Sequence, residues 1–336
     1  MRDEKESRVD RVLRVILHPS AFILCCALIV PVSAQQYPYK PIRMVTELAA
    51  GTGGDVFLRQ LLPPISGALG QPVIVDNRPG AGGVVAAEAV ARAAPDGYTL
   101  LAATQNALIM RPFLSKTNTV DVFKDLAAVT ELWKASTLIL AGPGLPVKSL
   151  AELIEYAKAN PGKVSYGTSG FGTSHHFSGE QIQQLTGVKL VHVPYKGGVG
   201  SMQAAMTGEV HVAIGFAATA VPIIRSGKVR VLALVEGKRF GSLGDVPLAA
   251  DVIRGFEPPP SWGGVFGPAA LPQPLLGRLN GDMVKAIQTP ELRARAAEEG
   301  FEIVGNSPKE FSATLRKQYE LIGRIAKAAN IRPSEH

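Results

Sequence analysis

A strand, a glycine-rich turn and a helix follow one another repeatedly along this chain, a pattern that α/β sheets accommodate and few other folds do. Residues 42–46 read as a strand and Gly51-Thr52-Gly53-Gly54-Asp55 as the turn after it. Val56, Leu58, Leu61, Leu62, Ile65 and Leu69 then form the apolar stripe of a helix. Pro63-Pro64 falls inside that stripe. An interior proline costs about 3 kcal/mol, so a kink or a new helix start is expected near residue 63. A strand at 72–76, a turn at 77–83, an alanine-rich helix ending at Ala94 and a strand at 98–104 complete the first block.

A second block opens after a strand at 137–141, where Ser149-Leu150-Ala151-Glu152 reads as a capping box. Segments 163–169, 189–195, 210–216 and 229–235 read as extended, and 174–185 and 199–206 as helical. This alternation predicts parallel α/β sheets with helices on both faces. Residues 237–260 are loop-rich. Beyond them come a strand at 262–266, helices near 274–288, 290–299 and 308–329, and a short strand at 301–304. The chain is expected to return there to its first domain. Domain I is therefore placed at 35–138 plus 260–336, and domain II at 139–259.

At the N-terminus, Arg11 and Arg14 precede an apolar run at 21–30 and the small-residue pattern Val32-Ser33-Ala34. This reads as a signal peptide over 1–34, cleaved after Ala34. The run is far shorter than the ~20 residues of a spanning helix, and His18-Pro19 blocks its extension. Cys25-Cys26 leaves a lipoprotein as the alternative, although the bulky Leu24 before Cys25 argues against it. The chain has 2 cysteines, and both leave with the peptide, so no disulfide or thiolate site is expected in the exported protein. Roughly 300 residues remain, enough for two packed domains. The formal charge of +7 is spread without basic runs, which argues against nucleic acid as a partner.

In open α/β sheets, ligands bind beyond the carboxyl ends of strands, where turns lead into helices. Three turns stand out: Ala49-Ala50-Gly51-Thr52-Gly53-Gly54-Asp55, Gly170-Phe171-Gly172-Thr173-Ser174-His175 and Tyr195-Lys196-Gly197-Gly198. Glycine brings the backbone close to a ligand, and free N–H groups at a helix start favour an anion. Each turn alone is matched by an ordinary tight turn; three at strand-to-helix junctions point to a site. No dinucleotide or phosphate-loop motif is present, and Gly167-Thr168-Ser169-Gly170 is one residue short of a nucleophile elbow. His176 and Glu180 share a helix face without an evident third ligand, so no metal or cofactor is expected. Lys196 is balanced between ligand contact and surface charge, while Arg59 and Arg78 read as solvated. Asp55 reads as a helix cap, and Glu47 would repel an anion if it pointed inward. Trp133 and Trp262 read as core or hinge packing.

Lys40-Pro41-Ile42-Arg43, the turn at 49–55 and Asn77-Arg78-Pro79-Gly80-Ala81-Gly82-Gly83 occur in that order. They are followed by Pro95-Asp96-Gly97-Tyr98-Thr99-Leu100-Leu101, Ala157-Lys158-Ala159-Asn160-Pro161-Gly162, His192-Val193-Pro194-Tyr195-Lys196-Gly197 and Ser307-Pro308-Lys309-Glu310-Phe311. In these motifs the chain closely resembles the Bug family, the periplasmic solute-binding components of tripartite tricarboxylate transporters.

The resemblance implies an α/β, two-domain periplasmic binding protein of type II (Venus-flytrap) with a ligand cleft between domains. It implies a non-enzymatic protein that holds a small carboxylate, an aliphatic or aromatic mono-, di- or tricarboxylic acid, largely through backbone amides and waters and hands it to membrane permease subunits. A monomer is expected. On matching positions the ligand would meet Leu48, Ala49, Ala50, Gly51, Thr52, Gly53, Gly54 and Asp55 in the first loop, and Gly170, Phe171, Gly172, Thr173, Ser174 and His175 in the second. Tyr195, Lys196, Gly197 and Gly198 would follow, with Thr104, Gln105, Phe216 and Ala217 as further lining. The family's first loop commonly reads like Pro-Phe-Ala-Ala-Gly-Gly, whereas this chain has Thr46-Glu47-Leu48-Ala49-Ala50-Gly51. Members resembling amino-acid binders carry an Asp after the position of Phe216, where this chain has Ala217-Ala218, so a ligand without a positive amine is expected. A receptor that signals to a membrane sensor kinase is the alternative, and a periplasmic hydrolase a more distant one.

Overall fold

Short, deeply buried strands organise two sheets. The computed structural model describes residues 37–236, 243 and 245–333. The signal-peptide and lipoprotein readings, with Cys25 and Cys26, lie outside the described residues, as does part of the loop-rich stretch after residue 236. Lys40 onward forms one compact unit. In chain order its elements are β1 (Ile42–Thr46), α1 (Gly53–Leu69), β2 (Val73–Asn77), α2 (Val84–Ala91), β3 (Thr99–Thr104), β4 (Leu126–Ala135) and β5 (Thr137–Ala141). Then come α3 (Leu150–Ala159), β6 (Val164–Thr168), α4 (Ser174–Thr186), β7 (Leu190–Pro194), α5 (Gly198–Thr207), β8 (Val212–Phe216), α6 (Ala217–Arg225) and β9 (Arg230–Glu236). The chain ends with α7 (Ala249–Val252), β10 (Trp262–Pro268), α8 (Gln273–Ile287), α9 (Pro290–Glu298), β11 (Phe301–Ile303) and α10 (Pro308–Ala328).

The first sheet runs β11-β4-β10-β3-β1-β2 and the second β7-β6-β8-β5-β9. Both are mixed, which corrects the expectation of parallel sheets. β1 pairs in parallel with β2 and β3, and β6 with β7 and β8. β10 is antiparallel to β3 and β4, and β5 is antiparallel to β8 and β9. β11 is also antiparallel to β4, while β5 and β10 are each the first strand formed after the chain crosses from the other sheet. A strand arriving from the other sheet enters from the opposite end to one delivered by a right-handed βαβ crossover. β4 and β5 are separated only by Ser136, whose N–H donates to Gly300 O (2.8 Å) while its carbonyl accepts from Ala217 N (2.8 Å). One residue is thus pinned to both lobes.

Three local expectations also change. α1 is helical straight through Pro63 and Pro64, because Leu61 and Ile65 are fully buried around them and packing offsets the missing hydrogen bonds. α2 stops at Ala91 rather than Ala94. Ser149 Oγ accepts from Glu152 N (3.2 Å), but the Glu152 carboxylate accepts from Lys148 N (2.7 Å), so the capping box is displaced by one residue. β4, the π-helical turn Asn106–Met110 and α6 have no counterpart among the elements expected from the sequence.

The first lobe's core gathers Val45, Leu101, Ile109, Trp262, Phe266, Phe311 and Ile322, and Phe177 from α4 joins the same cluster. Tyr166, Ile139 and Ile214 centre a separate core on one face of the second sheet. Among the described residues no helix is long and apolar enough to cross a membrane.

Candidate functional site

Where β1, β3, β7 and β8 end, their following turns border a cavity of about 660 Å³. From the first lobe, Leu48, Ala49, Gly51, Thr52, Gly53, Gly54, Thr104 and Gln105 line it; from the second, Thr173, Lys196, Gly197, Gly198 and Phe216. The other expected residues lie outside the lining. Ala50 is exposed, and Asp55, Ser174, His175 and Ala217 are buried behind it. Gly170, Phe171, Gly172 and Tyr195 also fall outside it.

Three helices begin at this cavity without a side-chain cap. These are α1 at Thr52, α5 at Gly197 and α6 at Phe216. Their first-turn N–H groups carry the positive ends of the helix dipoles. Gly197 stands at φ 97°, in the region that a residue with Cβ avoids, and this lets the chain turn from β7 into α5. α4 differs. Thr173 Oγ1 accepts from His176 N (3.5 Å), Gly172 N–H donates to His176 Nδ1 (3.1 Å), and Gly170 O accepts from Thr168 and Thr173 hydroxyls. The Gly170 and Gly172 groups of this turn are thus engaged within it, and of residues 170–175 only Thr173 lines the cavity.

Asp55 is not a conventional cap either. Its Oδ2 accepts from Gly51 N (2.9 Å) and Arg59 Nε (3.0 Å), and its Oδ1 from Asn77 Nδ2 (2.8 Å). Asn77 Nδ2 also reaches Leu48 O (2.9 Å), so one buried carboxylate braces the entire first turn. Burial pushes this carboxyl up, yet the hydrogen bonds from Arg59, Gly51 and Asn77 outweigh burial and hold it below 3.8. Its folded-state value is depressed, so its contribution is present above 3.8 and is lost as pH falls through the folded value. Asp55→Ala is expected to cost about 2–3 kcal/mol in urea unfolding at neutral pH, because a buried carboxylate loses three hydrogen bonds that brace the turn. The gap between variant and parent should shrink in acid.

Among the described lining residues, Glu47 and Lys196 are the ionisable ones. Lys196 is exposed, and no hydrogen bond or ion pair engages it among the described residues. Arg59 is bound to Asp55 and Asn77, and Arg78 to Asp76, so neither is a free cation for the cavity. The histidines nearby are neutral. Burial pushes His175 and His176 down to about 3, His192 adding to the effect on His176, and burial takes His192 to about 4. His176 Nε2 lies 3.6 Å from Glu180, whose carboxylate also accepts from Tyr166 Oη (2.8 Å), and the His176 ring stacks on His192 at 4.2 Å. These groups form a packed wall.

Asn106, which follows Thr104 and Gln105 in the polar stretch expected to line the site, is also in the lining, whereas sequence reasoning misses Glu47, Ala107, Ser169, Val199, Thr219, Ser261 and Phe301 and takes the glycines of the 77–83 turn only as a turn. Trp133 and Trp262, read as packing, are both buried and both line the cavity. Trp262 N donates to Gln105 Oε1 (2.8 Å), which fixes that side chain at the lining.

The family described as "Tripartite tricarboxylate transporter family receptor" matches residues 57–331. A UPF0065 protein of Bordetella bronchiseptica is 35% identical over 308 residues, 91% of each chain. Protein BugT of Bordetella pertussis is 32% identical over 301 residues, 89% of this chain and 90% of BugT. Among solved structures, R. palustris Rpa4515 with adipate is 29% identical with a TM-score of 0.78, covering 89% of this chain and all of that one (100%). MatC of Rhodopseudomonas palustris with bound malate is 27% identical with a TM-score of 0.73, covering 86% of this chain and 100% of that one. The family match takes in every strand of both sheets except β1 and every cavity turn except that at 47–55, and the two solved neighbours cover 86–89% of the chain, so the two-lobed α/β architecture is the periplasmic binding-protein fold. On that ground the chain belongs to the tripartite tricarboxylate transporter receptors, the Bug family of solute-binding proteins.

Proposed function

We propose that this protein captures a small organic carboxylate in the cavity and passes it to membrane permease subunits of a tripartite transporter, without chemical change to the solute. The observation that carries the reading is the convergence of three uncapped helix starts and one unpaired ammonium, Lys196, on a single cavity. The adipate and malate held by the two Rhodopseudomonas neighbours support it. On this reading the carboxylate lies between the 51–54 turn and the 196–198 turn, and the two lobes close over it about Ser136. The protein works in the periplasm as a monomer, after cleavage following Ala34.

The remainder of the lining points to the solute's body. Trp133, Trp262, Phe216 and Phe301 make much of the wall apolar, and Lys196 is the single cation among the described lining residues. A tricarboxylate would leave two charges facing aromatic carbon, which is costly without partners. The ligand is therefore a mono- or dicarboxylate with an apolar chain or ring. Ala217 is buried and Ala218 lines the cavity, so that wall supplies no carboxylate for an ammonium group.

A thermal-shift screen of the protein against mono-, di- and tricarboxylates, aromatic acids and amino acids tests the reading. A true ligand at 100 times its Kd stabilises by about 2.7 kcal/mol. A shift with C4 to C8 mono- or dicarboxylates and none with amino acids is expected. Indifference to all acids, or turnover of any of them, would sink the proposal.

A further inference from the structure

We infer that the cavity takes up its anion together with a proton, and that the proton resides on Glu47. The inference rests on the carboxylate reading above and deepens it, because it names a linked second ligand at the same site.

Glu47 stands in the turn between β1 and α1 and lines the cavity. Thr104 N–H and Oγ–H both donate to its Oε1, each at 2.7 Å. Its Oε2 is shut away from solvent and has no partner. The side chain is confined there. A Cβ built on Gly83 would lie 3.2 Å from Glu47 Cγ and 2.4 Å from Ala107 Cβ, so backbone and side chain pack tightly on both sides. One oxygen thus acts as a carbonyl-like acceptor of two donors, and the other sits where a negative charge would have no compensation. A carboxyl so placed favours its neutral form. Burial raises its pKa, against the opposing hydrogen bonds from Thr104 and its own backbone, and no neighbouring charge contributes.

The charged groups on the surrounding elements do not supply a counter-ion. Asp55 and Arg59 pair with each other on α1, and Arg78 pairs with Asp76. Arg111, beside Gly82, donates to Ser115 and Thr117. Lys196 reaches the cavity from the second lobe. An incoming carboxylate is the one strong electrostatic change Glu47 experiences. Two anions bordering one cavity oppose each other, so binding and ionisation of Glu47 exclude one another, and bound anion raises the affinity of Glu47 for a proton. Glu47 in this way removes the repulsion that an inward-facing acid would impose, and confines tight capture to conditions that keep it protonated.

Isothermal titration of adipate and of benzoate, in buffers of differing ionisation enthalpy across roughly pH 5 to 9, reads the coupling directly. Proton uptake on binding is expected. Above the Glu47 pKa, affinity should fall by about tenfold per pH unit. Glu47→Gln keeps a neutral amide of the same shape, and it should bind as tightly as the parent at low pH, with neither slope nor uptake. His175, His176 and His192, outside the lining, stay neutral in this range, but Glu131 and Glu236 at the lobe junction are raised by burial to about 7 and about 8. A slope that survives in Glu47→Gln belongs to that pair and overturns the inference. Binding without proton uptake overturns it as well, as does a folded Glu47→Gln that has lost affinity at every pH. If neither acid binds, nor any other carboxylate in the thermal-shift screen, the carboxylate reading itself falls and this inference with it.

Discussion

Lys196→Glu is expected to lower carboxylate affinity by about 100-fold while leaving the fold intact. The two parts of that expectation have separate causes. Lys196 lies in an exposed turn between β7 and α5 and has no ion pair among the described residues, so replacing it removes no interaction that holds the protein together. Surface changes of that kind stay within roughly 0.5 kcal/mol in stability. A charge-assisted hydrogen bond to a bound carboxylate, by contrast, is worth about 1.5–3 kcal/mol, or roughly 10- to 150-fold in Kd. Lys196→Gln should therefore fall near the lower end of that range, and the Glu variant near the upper end because it adds repulsion. Calorimetric Kd values at two ionic strengths provide the check, since the parent's affinity should weaken with salt and that of Lys196→Gln much less. Unchanged affinity in the Glu variant would show that the backbone amides hold the anion alone.

Local sequence carries a good deal of this molecule because much of its order is local. The turns after β1 and β7 are spelled by glycine, and the helices by apolar spacing over three or more turns. The Ser307–Glu310 start of α10 has both halves of its capping box, Ser307 N to Glu310 Oε2 at 2.9 Å and Glu310 N to Ser307 Oγ at 3.3 Å. Strand direction is a different matter. Nothing in residues 262–268 says that β10 enters antiparallel between β3 and β4, because the far end of the chain decides it. β4 escapes sequence reasoning for a related reason. It is buried on both faces, so its sequence LAAVTELWKA lacks the polar alternation of a half-exposed strand, and its buried Glu131 makes it look like surface.

The candidate site divides along the same line. Glycine turns are legible as anion-binding geometry, and the 196–198 turn borders the cavity. The 170–175 turn has the same composition, yet its Gly170 and Gly172 N–H groups are taken by Thr168 and His176, which no spacing rule reveals. Trp133 and Trp262 read as packing, and buried they are. Their second role, as cavity wall, depends on strands β4 and β10 lying side by side across more than a hundred residues of sequence. From the sequence, Glu47 is only a liability for anion binding; its protection by Thr104 emerges once the β1 and β3 ends are seen together.

That pairing of β4 with β10 leads to the largest stability effect expected in the first lobe, from a substitution of one methyl group. Gly263 on β10 sits opposite Trp133 on β4 and Thr104 on β3. A Cβ added at Gly263 would fall 2.0 Å from Trp133 Cζ2 and 2.3 Å from Cε2, distances at which one of the two must move. Away from the cavity the indole has little room to yield. Phe57 meets it edge-on at 5.5 Å, and Phe57 is itself stacked on Phe301 at 4.0 Å. Overpacking a filled core costs about 1–3 kcal/mol or somewhat more when a rigid ring is involved. Gly263→Ala is therefore expected to lose about 3 kcal/mol and roughly 5–10 °C in Tm. Because Trp133 also walls the cavity, the same variant should weaken ligand binding and shift tryptophan emission to the red. Gly277→Ala on α8, where an added Cβ meets nothing within 4 Å, is the matched control and should gain up to about 1 kcal/mol from helix propensity. Trp133→Leu in the Gly263→Ala background should recover part of the lost stability, since the two changes share one clash. Strict additivity of the pair would mean that the glycine is there for the backbone of β10 and not to make room for the indole.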